Sequence, residues 1–302
     1  MIEDLLFKLQ NNSYLTLETT PAHSPVLKTI IDKIKDLELD KKVDGFSTTD
    51  NPLAKLKYNS IMAAIKLQEA FNKPVIATMS MRDRNKIALQ SDLLGANDFN
   101  VRSILALTGD SAKISDQPQT RGVFEGDSTL LLDMIQCFNS GIDYAGKPFS
   151  VKPKPIIGFS VMNAYAKNQK TLLKKMIKKI EHGSEGIITQ PVYDLQTLET
   201  LLEMLEIAKN RVHRQSKTQL ITGFFPITKL RTAQFLSAHV PGIDVPIKWI
   251  EKLRIANEKG IEEEKKVGFE LSQNLQKELF EHHSKMHIMT ANQFELASEL
   301  LK

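Results

Sequence analysis

Three polar residues are placed where they could do chemistry: Glu18 in TLETTP, Asp110 in LTGD and Gln190 in TQP. A carboxyl group that ends an apolar run, as Glu18 does, is costly to bury as an anion. Burial therefore raises its pKa and makes it a proton donor near neutral pH. The same residue on a surface would cap a helix or pair with a lysine, and its local context leaves both readings open. Asp110 follows Gly109, which permits a tight turn, so its carboxylate either caps a helix or meets a ligand. Gln190 is an uncharged donor and acceptor held on extended backbone by Pro191, and it suits the fixed edge of a heterocycle. Lys174, Lys175, Lys178 and Lys179 fall at helical spacing and form mainly a solvated face, from which one member could reach a phosphate.

Metal and nucleophile chemistry have less support. The seven histidines (His23, His182, His213, His239, His282, His283 and His287) show no HxH or HExxH spacing, and Cys137 is the single cysteine. No metal and no disulfide framework is expected. GxSxG, Walker and CxxC patterns are absent.

The elements that must position these residues follow from periodicity. Short apolar or β-branched runs alternate with amphipathic segments, the pattern of a parallel sheet covered by helices. Eight strands are predicted at residues 14–18, 43–48, 74–79, 103–107, 156–161, 186–190, 219–224 and 286–289. Helices are predicted over 26–37, 59–71, 128–138, 171–182 and 195–209, among others. Eight strand and helix repeats close most economically as an α/β fold of the (β/α)8 TIM barrel type with extra C-terminal helices, one barrel domain over residues 1–302. An open doubly wound sheet would want a glycine-rich phosphate loop, and none is present. Active sites in such barrels lie just past the strand C-termini, which is where Glu18, Thr49, Thr78, Thr108, Asp110, Asn163, Gln190 and Asn292 fall. Insertions at 111–122 and 139–155 read as lids or as surface excursions. The charged stretch 246–283, with Glu262, Glu263, Glu264, Lys265 and Lys266 in succession, reads as a helical and mainly solvated face.

Composition narrows the class. Of 302 residues 41% are hydrophobic and 25% charged, which suits a globular chain with a large core. A net charge of +4 from 40 basic and 36 acidic residues is too balanced for a nucleic-acid footprint. No apolar run approaches the roughly 20 residues that span a bilayer, and the acidic N-terminus is unlike a secretory signal. A cytoplasmic protein without nucleic-acid or membrane partners is expected.

Several segments together resemble the methylenetetrahydrofolate reductase family: LETTP, ILALTGD, VFEGDS, GIITQPVYD, ITGFFPIT, VPGIDVP and the terminal TANQ. They follow the family's order across about residues 14 to 300. The TGD, QPVYD and VPGI spellings are similar to the branch linked to homocysteine methyltransferase or corrinoid methyl transfer. The resemblance implies reduction of 5,10-methylenetetrahydrofolate to 5-methyltetrahydrofolate through FAD, with NADH or NADPH as electron donor. By the same resemblance Glu18 matches the general acid that protonates folate N10, and Asp110 the aspartate near flavin and pterin. Thr49, Thr78, Leu107, Thr108, Gly109, Phe124, Phe159, Asn163 and Lys179 fall where the family contacts FAD. Gln190, Leu230, Asn292 and Gln293 fall where it contacts folate. Departures are also present: Thr78 and Asn163 stand where histidines are often found, Thr108 and Gln293 where arginines occur, and Leu172 where an acid can hold the adenosine. A flavin-free or corrinoid-partnered relative, and a folate-binding subunit without turnover, are the alternatives. A homo-oligomer and a methyltransferase or electron-transfer partner are compatible with the resemblance.

Overall fold

A computed structural model describes residues 2–212, 216–240 and 242–302. His213 and Pro241 of the VPGIDVP segment lie outside the described residues. Eight parallel strands close into a barrel in chain order: β1 Tyr14–Thr19, β2 Gly45–Thr48, β3 Val75–Ser80, β4 Ser103–Leu107, β5 Ile157–Met162, β6 Gly186–Pro191, β7 Gln219–Phe224 and β8 Lys285–Ile288. Each predicted strand is present, two with the predicted bounds (103–107 and 219–224) and six with ends shifted by one or two residues. The ring closes where β1 pairs with β8, Thr16 opposite His287 and Leu17 opposite Ile288.

The helices are α1 Ile2–Asn11, α2 Lys28–Asp36, α3 Leu39–Lys42, α4 Ser60–Phe71, α5 Lys86–Asp98, α6 Ser128–Asn139, α7 Gln169–Glu181, α8 Leu195–Arg211, α9 Leu230–His239, α10 Ile247–Lys259, α11 Ile261–His282 and α12 Phe294–Leu300. Local chemistry starts many of them. Asn59, Asn85, Asp127, Asn168 and Asp194 each accept backbone N–H bonds at a helix start, which satisfies amides that no helical carbonyl can reach. No described helix is long and apolar enough to cross a membrane.

Strand parity sorts the side chains into two cores. Leu17, Phe46, Ala77, Ile104, Ile187, Leu220 and Met286 point outward and pack under the helices. Tyr14, Ile76, Leu105, Phe159, Ile188 and Ile221 point inward and form an apolar layer together with Ile2, Leu5 and Leu9 of α1. That helix lies across the N-terminal ends of the strands, tied by Lys8 to Asp44 (2.7 Å) just before β2 and by Glu3 to Arg102 (2.8 Å) just before β4. One end of the barrel is thereby shut with hydrocarbon, and the polar strand ends gather at the other.

Two readings change on the structure. The 139–155 excursion precedes β5 and so sits at the shut end, where Ile142 and Pro148 form a small antiparallel bridge; only the 111–122 loop stands at the open mouth. The charged stretch after residue 246 is two helices that meet at Gly260, and it is not all solvated. Glu264 is buried and accepts the Leu230 amide (2.7 Å) at the start of α9. The bond offsets the cost of removing the carboxylate from water.

Candidate active site

A cavity of about 610 Å³ opens at the C-terminal ends of the strands. Glu18 of β1, Asp110 after β4 and Gln190 of β6 share its wall, although 172 residues separate the first from the last (190 minus 18). Thr49, Thr78, Leu107, Thr108, Gly109, Asn163 and Lys179 line it as well.

Glu18 points inward two residues above Thr16. It makes no hydrogen bond or ion pair among the described residues, and desolvation pushes its pKa up to about 7. Its cross-strand partner on β2 is Ser47. The carboxyl group is therefore poised to be protonated at neutral pH and to surrender its proton to a bound base. Gln190 has no partner among the described residues either, so both ends of its amide are free for a ligand.

Asp110 is placed by Gly109, whose φ is +91°. A Cβ there would stand 3.0 Å from the Arg82 Cβ and 3.2 Å from the Ser80 Cβ, so glycine alone lets β4 turn this tightly. The Asp110 carboxylate accepts the Leu53 amide (2.7 Å) in the short 3-10 turn Pro52–Ala54, and it caps none of the α-helices described above.

The far wall is cationic. Lys179 of α7 is only 9% exposed, and burial depresses its pKa to about 8. It has no carboxylate in contact among the described residues, because Lys178 takes Asp127 (2.8 Å). Burial works against ionisation of Asp127, yet the Lys178 ammonium and the Thr129 hydroxyl and amide hold its carboxyl well below the usual range. A buried ammonium with no carboxylate in direct contact on a cavity wall favours an anionic group such as a phosphate.

Five predicted residues lie away from the cavity lining. Phe159 is fully buried one layer below, in the apolar floor beneath Val161. Phe124 is 38% exposed with its ring against Gly122. Leu230 begins α9, and Gln293 is exposed at the start of α12. Asn292 brackets the Thr20 backbone, accepting its amide (2.8 Å) and donating to its carbonyl (2.6 Å), and so ties the β8 loop to the β1 loop.

Other lining residues were not singled out from sequence. His287 of β8 is 2% exposed, its Nδ1 is 2.8 Å from the Thr16 hydroxyl and its Nε2 is 3.3 Å from the Ser47 hydroxyl. Desolvation lowers its pKa to about 4, so the ring is neutral. Arg82, also buried, forks onto Asp83 and donates to the Asn51 carbonyl (3.0 Å). Inward parity in the last strand would have pointed to His287; Arg82 lies in a loop whose course no periodicity encodes. Among the described residues no group of three or more His, Cys, Asp or Glu is arranged to hold a metal ion.

The family model for methylenetetrahydrofolate reductase matches residues 5–302. The chain belongs to the methylenetetrahydrofolate reductase family. A solved structure similar to this family member is an uncharacterized protein from Clostridium thermocellum, described as binding two copies of 5-methyl-5,6,7,8-tetrahydrofolic acid. It is 14% identical with a TM-score of 0.66, over 100% of this chain and 97% of that one. DmoA from Hyphomicrobium sulfonivorans is 7% identical with a TM-score of 0.54, over 96% of this chain and 86% of that one. At these identities the likeness is one of fold. A search of curated protein sequences gives no match.

Proposed function

We propose that the cavity binds 5,10-methylenetetrahydrofolate and that the chain reduces it to 5-methyltetrahydrofolate with FAD as cofactor. The observation that carries this reading is Glu18: a partnerless inward carboxyl with a pKa raised to about 7, on a wall it shares with Asp110 and Gln190. Family membership and the folate-binding neighbour support it.

The residues present fit FAD. Lys179 makes no direct ion pair among the described residues and would hold the cofactor's diphosphate beside the N-terminus of α6, where Ser128 and Thr129 also line the wall. Thr49, Thr108, Gly109 and Asp110 would face the ring system. Leu172 is 3% exposed in the outer apolar core, so the adenosine is not held by an acid at that position. The chemistry such a cofactor would supply, once reduced by NADH or NADPH, is a hydride. Glu18 would deliver its proton to folate N10, so that the five-membered ring opens to an iminium whose carbon is the acceptor for a hydride. Gln190 orients the pterin edge, and the apolar floor excludes water below the reacting atoms.

The test is anaerobic reduction of the purified protein with each nicotinamide, followed by methylenetetrahydrofolate. Reoxidation of the flavin with formation of 5-methyltetrahydrofolate is expected. Glu18→Gln should keep the flavin spectrum and lose roughly 10²–10⁴-fold in folate turnover, the usual contribution of a positioned general acid. An unchanged rate in that variant removes Glu18 from the chemistry, and a protein that holds folate without reoxidising flavin is a binder.

A further inference from the structure

The loop after β2 adopts an uncommon backbone beside the cavity. Asn51 (φ 46°), Leu53 (φ 55°) and Ala54 (φ 55°) are all left-handed, and none is glycine. Left-handed backbone is disfavoured for residues with a Cβ and persists only where the surroundings impose it. The turn is gripped at both ends. Arg82 donates to the Asn51 carbonyl (3.0 Å), the Asn51 side chain accepts the Lys57 amide (2.8 Å), and Ser115 donates to the Ala54 carbonyl (2.8 Å). Between the grips the Leu53 amide points at Asp110 Oδ2, 2.7 Å away, while the Leu53 side chain is 55% exposed and packs into no core. That amide is the one hydrogen bond the Asp110 side chain makes among the described residues, and Asp110 lines the cavity.

We propose that Leu53 is a positioning residue: its main-chain N–H, held by the left-handed turn, occupies one oxygen of Asp110 and presents the other as a fixed acceptor to an N–H donor on a bound heterocycle. The ring N–H of a flavin and that of a reduced pterin share this chemistry. The inference rests on the cavity being the ligand site of the function proposed above. It concerns binding geometry, whereas that reading concerns turnover. An acceptor anchored through one oxygen loses less orientational freedom when a ligand arrives than one that must first be ordered.

Three substitutions separate backbone from side chain. Leu53→Gly removes the whole side chain but tolerates the positive φ and keeps the N–H. Leu53→Val keeps an apolar side chain but is β-branched, which the left-handed region rejects. Asp110→Asn can still accept from Leu53 through its amide oxygen and then offers the ligand an NH₂ in place of an acceptor. Dissociation constants for FAD and for 5-methyltetrahydrofolate are measured by fluorescence, with amide exchange at residues 51–55 as the readout of the turn. Leu53→Gly should bind both within twofold of the parent. Leu53→Val should exchange faster at residue 53 and weaken at least one of the two heterocycles tenfold or more. Asp110→Asn should keep slow exchange yet lose the same heterocycle, and whichever it loses identifies the ring that Asp110 receives. Parental binding by Leu53→Val overturns the proposal, as does equal loss in Leu53→Gly, or unchanged binding of both ligands by Asp110→Asn. Failure of both heterocycles to bind the parent protein overturns it too. Binding without turnover sinks the reductase reading alone.

Discussion

Glu18 and His287 both line the cavity, and burial moves their pKa values in opposite directions. Each shift has a stability consequence through linkage. Glu18 rises from 4.5 to about 7 on folding. Below pH 4.5 both folded and unfolded chains are protonated there. As pH climbs toward 7 the unfolded chain ionises first, so folding loses stability across that window. Glu18→Gln, which cannot ionise, should gain melting temperature over the parent progressively between pH 4.5 and 7, with a constant advantage above. A difference that does not change with pH in scanning calorimetry would show that Glu18 is not desolvated. His287 falls from 6.5 to about 4, so its contribution is lost as pH drops through that interval, when the unfolded chain takes the proton first.

At the scale of elements, the junction of β6 and β7 decides where Gln190 sits. The pairing slips between Ile188 and Pro191, bringing Pro191 opposite Gly223, and the Gly223 amide donates to the Thr189 hydroxyl (2.9 Å). Proline has no N–H for the ladder, so a strand that carries one near its end gives up regular pairing there. The slip brings the β7 backbone so close that a Cβ on Gly223 would stand 2.0 Å from the Thr189 carbonyl oxygen. Gly223→Ala should therefore destabilise by roughly 1–3 kcal/mol, as overpacking does, and weaken folate binding by displacing Gln190. Urea unfolding and folate titration check it, and a variant with the parent's midpoint and affinity would show that the strands part without cost.

For the molecule as a whole, the division into a shut end and an open end matters most. Leu5 is 1% exposed against the inner layer. Leu5→Ala should cost about 2–5 kcal/mol, the range for truncating a buried leucine. The apparent pKa of turnover should stay where the parent has it, since α1 packs beneath the apolar layer that includes Leu105 and Ile188 and contributes no residue of its own to the cavity lining. Thermal melts and pH profiles measure the two quantities together, and a displaced pH limb would mean that the floor transmits packing changes to Glu18.

Much of the architecture is legible in the sequence. Short apolar runs such as 103–107 and 219–224, spaced by amphipathic segments, require parallel strands under helices because no other arrangement buries both. Once the barrel is accepted, Glu18, Asp110 and Gln190 fall at strand C-termini and so on one rim. Depth within the barrel was not legible. Phe159 and Val161 share a face of β5, yet one lies in the dry floor and the other on the cavity wall, since strand tilt and stagger set the level of each side chain. His287 and Thr16 meet across 271 residues only because the ring closes. Glu264, one acid in a charged run, is drawn inside because α11 packs against the start of α9. Sequence by itself determined which residues alternate and where strands end, because those are local periodicities. Tertiary structure alone decided the neighbours of each polar group, the charge state of Glu18, Lys179 and His287, and the hold of Leu53 on Asp110, because desolvation and pairing depend on atoms contributed by distant parts of the chain.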